Sequence, residues 1–244
     1  MLNSEHAYVD LIFRATKKYP AWDPEIAVKV GDYGRITRGR WGLAFWRKNG
    51  TFVREGNIYL DGRADKYGIV APVEYGRDSE GQAWITSLNA TQVDTSFSAG
   101  SLHPLIAECD AKAAFKFSSG RGAVLAMENP MITIIDPPGG LKALLEDPSM
   151  RNMVVVSEVH SCSSYARLLT SEESGTITLG LHVKPPVPGA ASASTIGTWV
   201  RHGASGNFKS QVDMKGERAF HPLFRLVSRS EEETSTGIGP VDSI

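Results

Sequence analysis

Apolar and polar residues alternate without a break through residues 176–184. Ile177, Leu179, Leu181 and Val183 fall on one side of the pattern, and Thr176, Thr178, His182 and Lys184 on the other. Side chains of an extended chain repeat their direction every two residues, so the segment predicts a strand with one greasy and one wet face. Its length is near the roughly 9–11 residues that a tilted strand needs to cross a bilayer. A half-buried strand of an ordinary sheet carries the same pattern. Helical spacing appears near the start of the chain, where Tyr8, Leu11, Ile12, Ala15 and Tyr19 follow Ser4, a residue type suited to an N-cap. They predict an amphipathic helix that ends at Pro20.

Elsewhere the chain reads as short strands broken by turns. Strands are predicted over 26–30, 43–46 and 51–53, with Asn49-Gly50 as a hairpin turn. Residues 61–81 are rich in glycine and charge and read as loop. Over 84–127 a weaker alternation sets Ala113, Phe115 and Phe117 against Lys112, Lys116 and Ser118, and Gly120-Arg121-Gly122 turns the chain into a segment containing Val124. Residues 136–140 stop the strands, and 141–146 form a short helix before Pro148. One strand over 154–169, including Val155 and Val159, leads through a turn into the alternating ribbon. Further strands are expected over 195–200 and 220–227. The organisation expected is one domain over 1–228 and a polar, acidic tail over 229–244.

The chain has 244 residues, 41% of them hydrophobic, enough for an ordinary core. Its 26 basic and 27 acidic side chains leave a net charge of −1, so bulk charge gives no reason to expect nucleic acid as a partner. Charge-driven binding has to come from local clusters, of which two stand out. Arg14, Lys17 and Lys18 end the predicted helix, where they oppose its dipole and can also meet anionic lipid. Arg38, Arg40, Arg47 and Lys48 lie beside Trp41, Phe45 and Trp46, a mixture suited to an anchor at headgroup depth and equally to core aromatics flanked by solvated arginines. The two cysteines, Cys109 and Cys162, make neither a disulfide framework nor a metal site. The start of the chain lacks the features of a signal peptide, which favours a reducing cytosol. No window approaches the roughly 20 apolar residues of a membrane-spanning helix, so entry into a membrane would have to be by strands.

Catalytic groupings are scarce. The six histidines are dispersed, without HExxH or CxxC spacing, and neither GxGxxG nor GxSxG occurs. His160 and Cys162 share one side of a strand and could pair as base and nucleophile, but no third orienting residue is evident. No enzyme activity, metal or cofactor is expected.

Taken in order, these segments resemble the pore-forming domain of the gasdermins, most of all the short fungal regulator-of-cell-death members. The resemblance is carried by Phe13-Arg14-Ala15-Thr16-Lys17-Lys18-Tyr19-Pro20-Ala21-Trp22, by Lys29-Val30-Gly31-Asp32-Tyr33-Gly34-Arg35-Ile36 and by Ala44-Phe45-Trp46-Arg47-Lys48. The helix at 141–145, Val154-Val155-Val156-Ser157-Glu158-Val159 and Leu223-Phe224-Arg225-Leu226-Val227 complete it, over about residues 4–228. It implies an α+β fold, a twisted, mainly antiparallel sheet with flanking helices, in which segments near 84–127 and 154–212 convert to amphipathic hairpins of a large oligomeric β-barrel. Membrane-inserting positions would then include Ala113, Phe115, Phe117, Val124, Val155, Val159, Ile177, Leu179, Leu181 and Val183. Arg14, Lys17, Lys18, Trp41, Phe45, Trp46, Arg47 and Lys48 would become the lipid-binding face. The resemblance further implies acidic phospholipids and copies of the chain as partners, a cytoplasmic inactive state and a plasma-membrane assembled state. A related incompatible variant would act as trigger, in allorecognition ending in lytic cell death, without a cleaved autoinhibitory domain. Cys109 and Cys162 could be lipidated, as cysteines in relatives can be. The rivals are a non-lytic acidic-lipid-binding or scaffold module, and an all-β enzyme or carbohydrate-binding protein using Trp41, Trp46, Trp84 or Trp199 as platforms.

Overall fold

The computed structural model describes residues 4–37, 51–78, 80–94, 104–171, 175–184 and 196–229. Helix α1 (Ser4–Thr16) buries Tyr8, Val9, Ile12 and Phe13, a stripe at helical spacing. It stops short of Pro20. The Thr16 hydroxyl donates to the Ile12 carbonyl at 2.9 Å and accepts the Lys18 N–H at 3.0 Å, while Lys17 takes a left-handed φ of 60°. A hydroxyl competing for the last carbonyls and a reversed φ end the helix without proline. The chain then turns into β1 (Tyr19–Pro20).

The elements that follow are β2 (Asp32–Thr37), β3 (Thr51–Asn57), α2 (Arg63–Lys66), β4 (Val73–Tyr75), β5 (Gln82–Thr86), β6 (Ala90–Val93), α3 (Pro104–Ala107), β7 (Ala111–Phe117) and β8 (Ala123–Glu128). After them come β9 (Met131–Ile134), α4 (Gly139–Glu146), a 3-10 turn at Pro148–Met150, β10 (Val154–Cys162), β11 (Ser164–Thr170), β12 (Gly175–Lys184), β13 (Ile196–Gly203), β14 (Gly206–Val212) and β15 (Phe220–Val227). Residues 61–81 therefore hold α2 and β4 within the expected loop.

The described strands pair antiparallel throughout, in three sheets instead of one. The first has seven strands in the order β1-β15-β10-β2-β3, with β9 also on β10 and β4 on β9. Strand β10 runs through its middle with every residue buried. Its far edge is shared, β2 taking Val154 and Val155 and β9 taking the stretch from Glu158 to Ser161. Residues 26–30, predicted as a strand, find no free edge there and run as irregular chain, with Val30 buried in the same core. Leu141, Leu144 and Leu145 of α4 pack into that core together with Val155, Val156 and Val159.

The strand predicted over 154–169 is in fact two. β10 belongs to the first sheet and β11 to the second, and the chain crosses between them at Ser163. Periodicity could not show the break, because β10 and β11 are buried on both faces. The second and third sheets have four strands each, in the orders β14-β11-β8-β5 and β13-β12-β7-β6. They stack face to face, with Val124 and Leu168 of one against Phe115, Phe117, Ile177 and Leu179 of the other. The outer face of the second sheet is closed by α1, Tyr8 and Ile12 packing on Leu125, Met127, Tyr165 and Leu169.

Candidate membrane-active surfaces

Each neighbouring strand pair of the sandwich crosses from one sheet to the other. β5 leads to β6, β7 to β8, β11 to β12 and β13 to β14, and the strand orders of the two sheets match position for position. The register shows what this means for the central strands. Ala111 opposes Leu181 and Phe117 opposes Gly175 in the third sheet, while Ala123 opposes Leu169 and Glu128 opposes Ser164 in the second. In all these pairs the two residue numbers add to the same total. The β7–β8 and β11–β12 segments thus keep one antiparallel register on both sides of a corner. Backbone bonding continues around the bend, since the Thr170 N–H donates to the Gly122 carbonyl at 2.9 Å and the Ser171 N–H to the Ser205 carbonyl at 2.9 Å. The outer strands shift register at their corners, where Ser118 still donates to the Asn89 carbonyl at 3.0 Å.

Two glycines make the tight bend possible. Gly120 holds a φ of 63°, in the left-handed region that glycine occupies without steric cost. At Gly122 a Cβ would lie 2.0 Å from the Phe117 ring, so a side chain there would drive the two sheets apart. The alternation also changes phase at the corner. Inward-facing residues carry odd numbers in β7 and β12, such as Phe115 and Leu179, and even numbers in β8 and β11, such as Val124 and Leu168.

The interior of the sandwich is apolar over a continuous area, interrupted by the buried Ser164 hydroxyl. Ala113, Phe115, Phe117, Val124, Leu168, Ile177 and Leu179 form one cluster, and Ala126, Ala166, Leu181 and Trp199 the adjoining one. Trp84 and Phe208 bridge both, with the Trp84 ring 5.8 Å from Phe115 and 5.6 Å from Trp199. The Trp199 indole N–H donates to the Ser164 hydroxyl, so its one polar atom is satisfied across the interface. On the other face of the third sheet stand Lys112 and Lys116, exposed, with His202 exposed and His182 partly so. Helix α3 packs against β12 and β13 on that side, with Ile106 buried.

The predicted inserting residues divide accordingly. Ala113, Phe115, Phe117, Val124, Ile177, Leu179 and Leu181 come together in this interior. Val155 and Val159 do not: they lie in the separate core under α4, on a strand with no exposed residue, and the sandwich strands begin at Ser164. Val183 lies in β12, but its side chain falls outside the described residues. Ala126, Ala166, Leu168, Trp199 and Phe208 belong to the same interior and were not anticipated. Ala166 and Leu168 alternate with Tyr165 and Leu169, which α1 also buries, so no polar phase marked them.

The basic cluster on α1 is smaller than the sequence implied. Arg14 is exposed and pairs with Asp10 at 2.9 Å, and Lys17 is exposed. Lys18 lies beyond the helix and turns inward, so it is not on the solvent face. Its ammonium meets the Glu158 carboxylate and stands 2.8 Å from His160 Nε2, while Arg225 Nε lies 3.2 Å from the second Glu158 oxygen. Trp41, Phe45, Trp46, Arg47 and Lys48 lie outside the described residues, as do residues 230–244 of the expected tail. β2 and β3 pair up to Thr37 opposite Thr51, so the aromatic and basic segment joins their ends.

The other candidate residues are buried or engaged with neighbours. Burial pushes the Cys162 thiol far above its ordinary value, and His160 is engaged with Lys18 and Glu158. Burial likewise raises the Cys109 thiol, which packs against Gly180 so closely that a Cβ there would sit 2.5 Å from its sulfur. A second buried cation, Arg167, lies beneath α1 with its guanidinium 3.5 Å from the centre of the Trp22 ring and one N–H donating to Asn207 at 2.9 Å. Among the described residues no group of three or more metal-ligating side chains is gathered, and no helix is long and apolar enough to cross a membrane.

No family model matches this chain, and no curated protein matches it. Among solved structures it is similar to the gasdermin A3 membrane pore determined by electron cryo-microscopy, at 12% identity and a TM-score of 0.33 over 91% of this chain and 87% of that one.

Proposed function

We propose that this chain is a gasdermin-like pore-forming protein that acts without catalysis: it binds acidic membranes, opens its sandwich and joins with further copies into a β-barrel. One observation carries the proposal, a single register kept on both sides of the corner around a largely apolar sandwich interior. Straightening the corners turns the two four-stranded sheets into one sheet of four long strands, with the central pairing already made. The third sheet then supplies a face of Ala113, Phe115, Phe117, Ile177, Leu179 and Leu181 for lipid, with Arg201 of the edge strand on the same side, and a face of lysine, threonine and histidine for water, the alternation a membrane strand requires. Its β12 has 10 residues, close to the roughly 9–11 of a tilted membrane strand. The second sheet, held by α1, remains as the base.

Such a sheet has two unpaired edges, β5–β6 on one side and β13–β14 on the other, and neither is tolerable in lipid. With four strands, the edge of one copy meets the opposite edge of the next in antiparallel sense, a head-to-tail contact that closes into a ring. Arg14 and Lys17, with the segment holding Trp41, Phe45, Trp46, Arg47 and Lys48, act as the lipid-reading face, each cation near an anionic surface contributing about 1 kcal/mol. The sequence resemblance to the short fungal members adds a related, incompatible variant of the chain as trigger, and lytic cell death in allorecognition as outcome.

Dye-loaded vesicles of acidic and of neutral lipid test this, with the chain alone and with a related variant. Release from acidic vesicles, rings in negative stain and loss of both in Arg14→Glu/Lys17→Glu are expected. Vesicles that bind the chain and stay sealed would instead establish a non-lytic lipid-binding module.

A further inference from the structure

We propose that the wall this chain contributes to the pore lumen is cationic, so that the pore favours anionic solutes, a proposal that rests on the pore reading above. The four strands of the third sheet, β6, β7, β12 and β13, contain no aspartate or glutamate. This is unusual in a chain with 27 acidic and 26 basic side chains. Lys112, Lys116, His182 and His202 share the face turned away from the interior, whereas Arg201, opposite Leu179 on the edge strand, shares the interior face with its guanidinium 5.7 Å from the centre of the Phe208 ring. Phe115, Phe117, Ile177, Leu179 and Leu181 turn to the interior, whereas Lys112 and Lys116 point the opposite way and are exposed.

Register extends the basic face across the sheet. Lys112 opposes Gly180 and Lys116 opposes Thr176, while on the far side of β12 His202 opposes Thr178 and His182 opposes Thr198. Directly opposed residues share a face, so two lysines and two histidines stand among threonine and glycine. Lys116, Thr176, Thr178 and His202 line one concavity together with Asp94. The carboxylates near this face lie beyond strand ends, Asp94 after β6 and Asp110 before β7, where Asp110 is 4.0 Å from His182 Nδ1. With the apolar face on lipid, the lysine face lines the water-filled side, and every copy in the ring repeats it. A ring of fixed cations sets a positive potential that reaches about one screening length into the lumen, ~30 Å at 0.01 M salt and ~3 Å at 1 M. Anions are concentrated and cations depleted within that distance.

The test is the reversal potential of the wild-type protein in planar bilayers, at two contents of acidic lipid, under a potassium chloride gradient of low mean concentration. The potential should lie on the chloride side, with an anion-to-cation permeability ratio above about 2 near 0.01 M salt that falls towards 1 near 1 M. Lys112→Glu/Lys116→Glu, which changes two exposed side chains and should leave the melting curve unaltered, moves the potential to the potassium side. Current that reverses at zero or on the potassium side in the wild type overturns the cationic wall while leaving the pore intact. Absence of any current overturns the pore reading itself.

Discussion

Lys18, Glu158, His160 and Arg225 show how one residue can change its meaning between sequence and structure. In the sequence Lys18 is the third cation of a basic run, but the left-handed turn at Lys17 sends it to a carboxylate that is 4% exposed. Lys18→Met removes one charged partner of Glu158 and leaves Arg225 and His160 facing the carboxylate, so it should cost about 2 kcal/mol in urea unfolding. Changes at exposed Arg14 and Lys17 should stay within about 0.5 kcal/mol. Burial by itself would raise the Glu158 carboxyl, yet hydrogen bonds from His160 and Lys18, with the charge of Lys18, hold it at about 2 against an ordinary 4.5. A carboxyl lowered in the folded state stabilises fully above its unfolded value, and the contribution is lost as pH falls through the folded one. The stability gap between wild type and Lys18→Met should therefore be full above about pH 4.5 and close as pH falls towards 2, which unfolding curves across that range would show.

At the scale of the element, the alternation in β12 was legible because one of its faces is apolar and the other carries threonine and histidine. β10 and β11 were not separable, since tertiary packing buries both faces of each. Their division matters for experiments on insertion. Read from the sequence, Leu181→Asp disturbs only the lipid face; in the structure Leu181 is fully buried beside Ala126, Ala166 and Trp199. A carboxylate in that site has no partner and should destabilise the closed fold by more than about 3 kcal/mol, while Leu181→Met should cost less than about 1.5 kcal/mol. Urea unfolding of the two variants checks this, and equal stability would place residue 181 outside the sandwich.

For the whole molecule, the apolar interior sets the condition for opening. Phe115, Phe117, Val124, Leu168, Ile177, Leu179, Leu181 and Trp199 would meet water, at about 1.5–3 kcal/mol for each large side chain. The sum, of order 15 kcal/mol, matches or exceeds the usual stability of a domain, about 5–15 kcal/mol. Opening in water is therefore unfavourable, and lipid must receive the face as it is uncovered. A reducible bifunctional thiol crosslinker long enough for the ~10 Å between stacked sheets, joining Ala166→Cys to Leu181→Cys, one residue in each facing sheet, should abolish dye release while leaving vesicle binding intact, and a reductant should restore release. Release by the fully crosslinked protein would mean that the sheets need not part. Should that pair fail to react, Ala126→Cys with Leu181→Cys links the same two sheets.

The sequence by itself determined the amphipathic strands and the N-terminal helix, because these depend on local periodicity and spacing. The tertiary structure decided which apolar residues share one interior, that Val155 and Val159 lie apart from it, and that Lys18 is an internal ion-pair partner. It also decided that strands distant in sequence keep one register around a corner. Those properties depend on pairing partners and on what covers each face, and a period of two along the chain carries no record of either.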